Sequence, residues 1–189
     1  MKKILLVLLA VAAMPVSAEQ VDINIGAHSA RVALQGPIER VIDAKGVYDL
    51  GLLTRRDSPK KLYQGHAGLL LSGDVGARDA AIQAGVGARF LITDVEPGSS
   101  GSALAIGGQV EGRIPQLVRL GFLAHVYGAP SATSFSNLDS YVEYAVAFDY
   151  QIIRQASLYG GYCQVHYKLN DSPSITVDNG LHLGVRLNF

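Results

Sequence analysis

The sequence predicts an all-β protein, a transmembrane antiparallel up-and-down β-barrel, and three observations carry that prediction. Extended segments alternate apolar and polar residues with a period of two, long and short connections take turns between them, and an export-type segment precedes them. A strand with hydrocarbon on one side and a wet interior on the other requires that period, because successive side chains point to opposite faces.

Met1-Lys2-Lys3 is a short positive region, residues 4–14 form an apolar run, and Val16 and Ala18 stand where a signal peptidase reads small side chains. The run falls short of the roughly 20 residues a spanning helix needs. Residues 1–18 therefore read as a signal peptide cleaved after Ala18, and 189 − 18 leaves 171 residues, 19–189, for one barrel domain. The residue directly after the cleavage point is Glu19, not cysteine, which argues against a lipid-anchored product. Lys+Arg and Asp+Glu number 16 each, so removal of Lys2 and Lys3 leaves 16 − 2 = 14 basic against 16 acidic side chains. Such a balance offers no basic face, and nucleic acid is not expected as a partner. The single cysteine, Cys163, excludes an intramolecular disulfide and a cysteine metal cluster.

The strands follow in order. Val21, Ile23 and Ile25 alternate on one parity and Ala30, Val32 and Leu34 on the other, so the chain reverses or bulges at His28-Ser29. A hairpin there gives ten strands with both ends periplasmic, whereas a bulge gives nine, which an even-stranded single-chain barrel disfavours. Ten is the expectation; eight is the alternative if the N-terminal stretch stays outside the barrel. Shorter apolar alternations surround Tyr48-Leu50-Leu52 and Ala67-Leu69-Leu71. Longer ones place Val86 and Phe90, Leu104 and Ile106, Phe122 and Val126, and Val146 and Phe148 toward lipid. The final segment sets Leu181, Leu183, Val185, Leu187 and Phe189 against His182, Gly184, Arg186 and Asn188. This strand, ending at Phe189, is the expected contact for the barrel-assembly machinery. Residues 159–169 are read with Tyr159, Cys163 and Tyr167 toward lipid, and Tyr144, Tyr150, Tyr159 and Tyr167 as interfacial girdles.

Counting back from a periplasmic C-terminus, 170–178, 128–138, 94–102 and 55–64 are outer loops. The segments 153–155, 114–116 and 73–79 are inner turns, in the long-outside, short-inside sense of bacterial barrels. Pro59, Pro97, Pro130 and Pro173 fall in the outer loops, where no ladder hydrogen bond is lost.

This parity assigns Arg89, Glu111, Arg113, Arg119, His125, Glu143, Asp149, Gln164, His166, Lys168, His182 and Arg186 to the lumen. Charges in a narrow barrel must be paired or hydrated. Two readings follow: a salt-bridge plug, or a narrow pore with a charged lining. A barrel of eight to ten strands has little interior volume, which ranks the plug above the pore. His125, His166 and His182 lack close metal-ligand spacing, so no metal or other cofactor is expected. His28-Ser29 would point to opposite faces, and no catalytic triad stands out, so the chain is not read as an enzyme. An outer-membrane hydrolase remains the enzymatic alternative. Arg55, Arg56, Lys60 and Lys61 cluster in one outer loop, where they would meet lipopolysaccharide phosphates. A surface barrel that binds lipid or an extracellular partner through such loops is the binding alternative, and the chain is expected to be a monomer.

Several of these segments carry a family resemblance: the Lys-Lys start, the Gly-alternating pair across 65–90, Ala103-Leu104-Ala105-Ile106-Gly107-Gly108, Leu138-Asp139-Ser140-Tyr141 and Gly184-Val185-Arg186-Leu187-Asn188-Phe189. On them the chain resembles the YfaZ family of outer-membrane proteins, from about residue 46 to 189. The resemblance implies an outer-membrane barrel, loosely porin-like, without a defined substrate, and it brings no site residues.

Overall fold

The computed structural model describes residues 20–41, 44–55, 61–76, 81–95, 99–170 and 174–189. The signal peptide and its cleavage after Ala18 lie outside the described residues, as do Arg56, Lys60, Pro59, Pro97 and Pro173. The strands are β1 (Gln20–Gly26), β2 (Ser29–Val41), β3 (Ala44–Arg55), β4 (Leu62–Asp74), β5 (Ile82–Val95) and β6 (Ser99–Ile114). Then come β7 (Leu117–Ala129), the short β8 (Ser134–Ser136), β9 (Leu138–Ile153), β10 (Ala156–Leu169) and β11 (Ile175–Asn188).

Ten of these strands close into an antiparallel barrel. Each pairs with the next, β7 pairs with β9, and β1 meets β11 from Gln20↔Asn188 to Gly26↔His182. Closure gives the main-chain N–H and C=O groups partners within the sheet, the condition for a strand to lie in hydrocarbon. The N-terminal parity change is a hairpin, β1 pairing with β2 from Gln20↔Gln35 to Ile25↔Ala30, and ten strands result. The eight-strand alternative falls with it.

One end of the barrel, the turn end, carries the two-residue reversals 115–116 and 154–155. Pro115 suits the first, since its fixed φ matches the opening position of a tight turn. The other end, the loop end, carries the crossing 130–137. There β8 folds back and pairs with β6 at Gly101–Ala103, above the point where β7 leaves it. Ser136 takes a left-handed backbone, φ 61°, to reverse the chain into β9. The β1–β2 hairpin stops lower than its neighbours. Ser29 Oγ bonds Asp178, and Arg55 Nη1 donates to the Thr176 carbonyl at 3.0 Å, fastening the hairpin tip and β3 to β11.

The exterior is the apolar face. Leu181 is 78% exposed, Leu183 72%, Val86 69%, Ile106 65% and Phe148 62%, while the alternate positions Arg89, Asp149, His182 and Arg186 are buried. That inverts the order of a water-soluble protein. Inward glycines make a narrow lumen possible. At Gly107 a Cβ would stand 2.6 Å from the Tyr127 ring, and at Gly68 one would stand 2.7 Å from Arg89 Cγ. A larger residue at either would crowd that side chain and a main-chain oxygen of the neighbouring strand, Val126 O or Ala88 O.

On β10 the structure reverses the expected faces. Ser157, Tyr159, Cys163, Val165, Tyr167 and Leu169 point inward and are buried, so Cys163, Tyr159 and Tyr167 do not face lipid. Gln164, His166 and Lys168 lie on the exterior. Gln164 accepts from Tyr144 OH at 2.5 Å, His166 Nδ1 lies 3.2 Å from Thr176 Oγ1, and Lys168 pairs with Asp139 at 2.9 Å. The pattern inverts because the loop-end interior is apolar and the loop-end exterior is polar, so hydropathy alone gives the wrong side. A bulge adds to this: Val165 pairs with Asp178 and His166 with Thr176, so Val177 is an extra residue and both it and Asp178 are buried.

Candidate functional site

The barrel interior holds three layers. Nearest the loop end is an apolar plug that includes Leu53, Leu62, Leu91, Leu138, Tyr141, Val165, Tyr167, Ile175 and Val177. Leu91 and Val165 are 0% exposed. Tyr141 and Tyr167 pack at 5.1 Å between ring centroids. Their hydroxyls reach the polar groups beside the plug, Tyr141 to Glu143 and Tyr167 to Gln64, as buried phenols require.

Below the plug lies a charged layer whose central cluster is assembled from six strands. Glu143 on β9, 1% exposed, is its centre. It accepts from Arg31 Nη1 of β2 at 2.7 Å, meets Arg89 Nη1 of β5 at 3.5 Å, and stands 2.9 Å from His125 Nε2 of β7. Asp49 on β3 takes the other side of Arg89, 2.6 Å from Nε, and lies 3.4 Å from His66 Nε2 on β4. The Arg89 guanidinium also sits 3.7 Å over the Tyr127 ring, so its face contacts the plug while its edge meets the carboxylates. Two outlying pairs complete the layer: Arg113 with Asp149 at 3.0 Å, and Arg186 with Asp22 at 3.5 Å, where Tyr159 OH donates to Asp22 at 2.5 Å. Each of these four arginines has a carboxylate partner, as charges removed from water require.

The third layer, at the turn end, is open. A cavity of about 540 Å³ is lined chiefly by amides and small apolar residues, with Lys45 and Glu111 among the lining groups and Phe189 at its rim. A much narrower space of about 60 Å³ continues from it into the charged layer, past Gln20, Gln35 and Gln109. Among the described residues, no three His, Cys, Asp or Glu side chains are arranged to hold a metal ion.

The twelve residues assigned to the lumen thus divide. Arg89, His125, Glu143, Asp149, His182 and Arg186 stand inside, and Glu111 and Arg113 stand half-buried toward the turn end. Arg119 is exposed at the turn end, its carbonyl accepting from Arg113 Nη1 at 3.3 Å. Gln164, His166 and Lys168 are outside, and His66 of β4 stands inside, beside Asp49. Of the basic loop cluster, Lys61 is exposed and Arg55 is drawn to Thr176. The sequence reading omitted Arg31, Asp49 and His66. Each was legible, because each lies opposite an apolar alternation already recognised, Ala30–Val32–Leu34, Tyr48–Leu50–Leu52 and Ala67–Leu69–Leu71.

Comparison with known proteins gives one family: the model described as YfaZ precursor matches residues 1–189, a wider span than the motifs alone cover. No curated protein matches the chain. A solved structure described as "Unveiling the Mechanism Behind the in-meso Crystallization of Membrane Proteins" is similar at 9% identity. That match covers 90% of this chain and 82% of the other, with a TM-score of 0.40.

Proposed function

The chain belongs to the YfaZ precursor family, and on that premise we propose that it is an exported outer-membrane barrel that spans the bilayer without conducting through it. The exterior supports the membrane reading. An apolar belt runs round closed strands whose alternate residues are charged, an arrangement that water would destabilise and hydrocarbon favours. The two-residue reversals 115–116 and 154–155 at one end and the longer crossing 130–137 at the other support a periplasmic turn end and an outer loop end.

The loop-end plug carries the non-conducting reading. A continuous pore needs a wet path through both halves, and buried leucines, valines and tyrosines occupy the outer one. The role is therefore structural or binding rather than porin-like. A non-enzymatic reading is supported by the engagement of the interior groups: Ser29 with Asp178, and His125 with Glu143, with no described hydroxyl bonded to that imidazole. Outer-membrane lipid, lipopolysaccharide included, would surround a monomer, with Lys61 and Arg55 on its rim. The assembly machinery would receive the strand that ends at Phe189.

Planar-bilayer recording of the refolded mature chain tests closure. Silence is the expected result, and reproducible conductance steps would overturn it. The membrane reading has its own test: the purified chain should require detergent to stay dispersed, and free solubility without it would sink that reading.

A further inference from the structure

The turn-end cavity has a construction that closure of the barrel does not require. Gln20 on β1 pairs across the ladder with Asn188 on β11 and with Gln35 on β2, so three amides form one wall. Gln83 on β5 pairs with Glu111 on β6, and Gln109 lies two residues from Glu111 on the same face, forming a second wall. In the closed strand order β1 and β6 are five strands apart in a ring of ten, so the two walls face each other across the lumen. All six residues line the same cavity of about 540 Å³, within the roughly 300–1,000 Å³ usual for small-molecule sites.

The side chains of Gln83, Gln109, Glu111 and Asn188 are half-buried, and none makes a hydrogen bond to a described residue. They line an open space without a partner in the fold, so their donors and acceptors are open to water or to whatever else occupies that space. The charge around them selects the occupant. The arginines of the floor, Arg31, Arg89 and Arg186, already meet carboxylates, and the lining adds one side chain of each sign, Lys45 and Glu111, so the side chains around the space carry no net charge. A planar amide donates and accepts at adjacent atoms, as vicinal hydroxyl groups do. Two facing walls of such groups suit a flat molecule with hydroxyls on both edges.

We infer that the turn-end cavity is a binding site for a small neutral sugar, one or two rings in size. Entry from the periplasm rests on the orientation proposed above; the binding itself does not. Hydroxyls of the sugar exchange hydrogen bonds with Gln20, Gln35 and Asn188 on one side and with Gln83, Gln109 and the Glu111 carboxylate on the other. The narrow continuation into the charged layer is too small for a ring, so the sugar stops at the floor and leaves by the way it entered.

The test uses the full mature chain refolded in a zwitterionic detergent, because a sugar-headed detergent would compete. Maltose and N,N′-diacetylchitobiose are titrated in turn while glutamine side-chain amide signals are followed by NMR; acetate and putrescine serve as charged controls. At least one disaccharide should give saturable shifts, and the controls none. Q83A/Q109A should weaken that affinity by about tenfold or more, with its backbone spectrum reporting an intact barrel. E111Q, which keeps an acceptor in place, should bind nearly as the parent does. No saturable shift with either disaccharide, binding of putrescine or acetate alone, or equal affinity in a folded Q83A/Q109A chain would overturn the inference. The measurement is made in detergent solution, so these failures would leave the membrane reading untouched, while a chain needing no detergent would count against that reading alone.

Discussion

The two ends of the barrel interior stand on the same strands and obey the same alternation, yet the loop end is packed with apolar rings and branched chains and the turn end is open and lined with amides. Along β5 the inward positions run Gln83, Gly85, Gly87, Arg89, Leu91 and Thr93, passing from cavity through charge to plug within a single strand. Side-chain volume decides the difference. Glycines keep the middle of the lumen free for Arg89 and Tyr127, and large side chains above them leave no space for water. The comparison teaches that the chain separates sealing from solvation along the barrel axis.

The largest expected effect comes from the boundary between the two ends. Glu143→Ala removes the carboxylate shared by Arg31, Arg89 and His125 and should cost about 3–5 kcal/mol, the usual result of leaving buried charge unpaired. Urea unfolding in phospholipid vesicles, followed by tyrosine fluorescence, would measure it; a loss below about 1 kcal/mol would mean water reaches the layer and hydrates the arginines. Leu91→Ala, within the plug, should cost about 2–5 kcal/mol through the cavity it leaves. Bilayer recordings of that variant should stay silent, since the neighbouring rings still close the path; steady current would show the seal to be one residue thick.

On the outside, Leu183→Arg should destabilise the barrel by about 2–4 kcal/mol, whereas Gln164→Arg should change it by about 0–1 kcal/mol. Equal costs in the same unfolding measurement would remove the distinction between an apolar belt and a polar loop-end exterior. Smallest of all, Gln109→Ala in the open cavity should move stability by no more than about 0.5 kcal/mol. A larger loss in thermal unfolding would mean that the amide wall holds the barrel together.

Much of this was legible in the chain. β11 displayed its faces plainly because Leu181, Leu183 and Val185 meet one medium and His182 and Arg186 another along the whole exposed stretch. β10 did not, because it passes through two environments on each side. Its inward residues begin beside Asp22 and end in the plug, and its outward residues begin at Leu158 in the belt and end at Lys168 in a polar band. A strand whose two sides exchange polarity midway has no constant pattern to read. The bulge at Val177 concealed the phase further, since one inserted residue shifts every later position on β11 relative to β10.

By itself the sequence determined the class and narrowed the strand number to ten or eight, because period and turn residues are local properties of the backbone. Only the tertiary structure decided which end is sealed, which arginine meets which carboxylate, and that glutamines from β1, β2, β5 and β6 share one space. Those facts depend on what closure brings together across the lumen, between residues as far apart as Arg31 and Glu143, and no local pattern carries that distance.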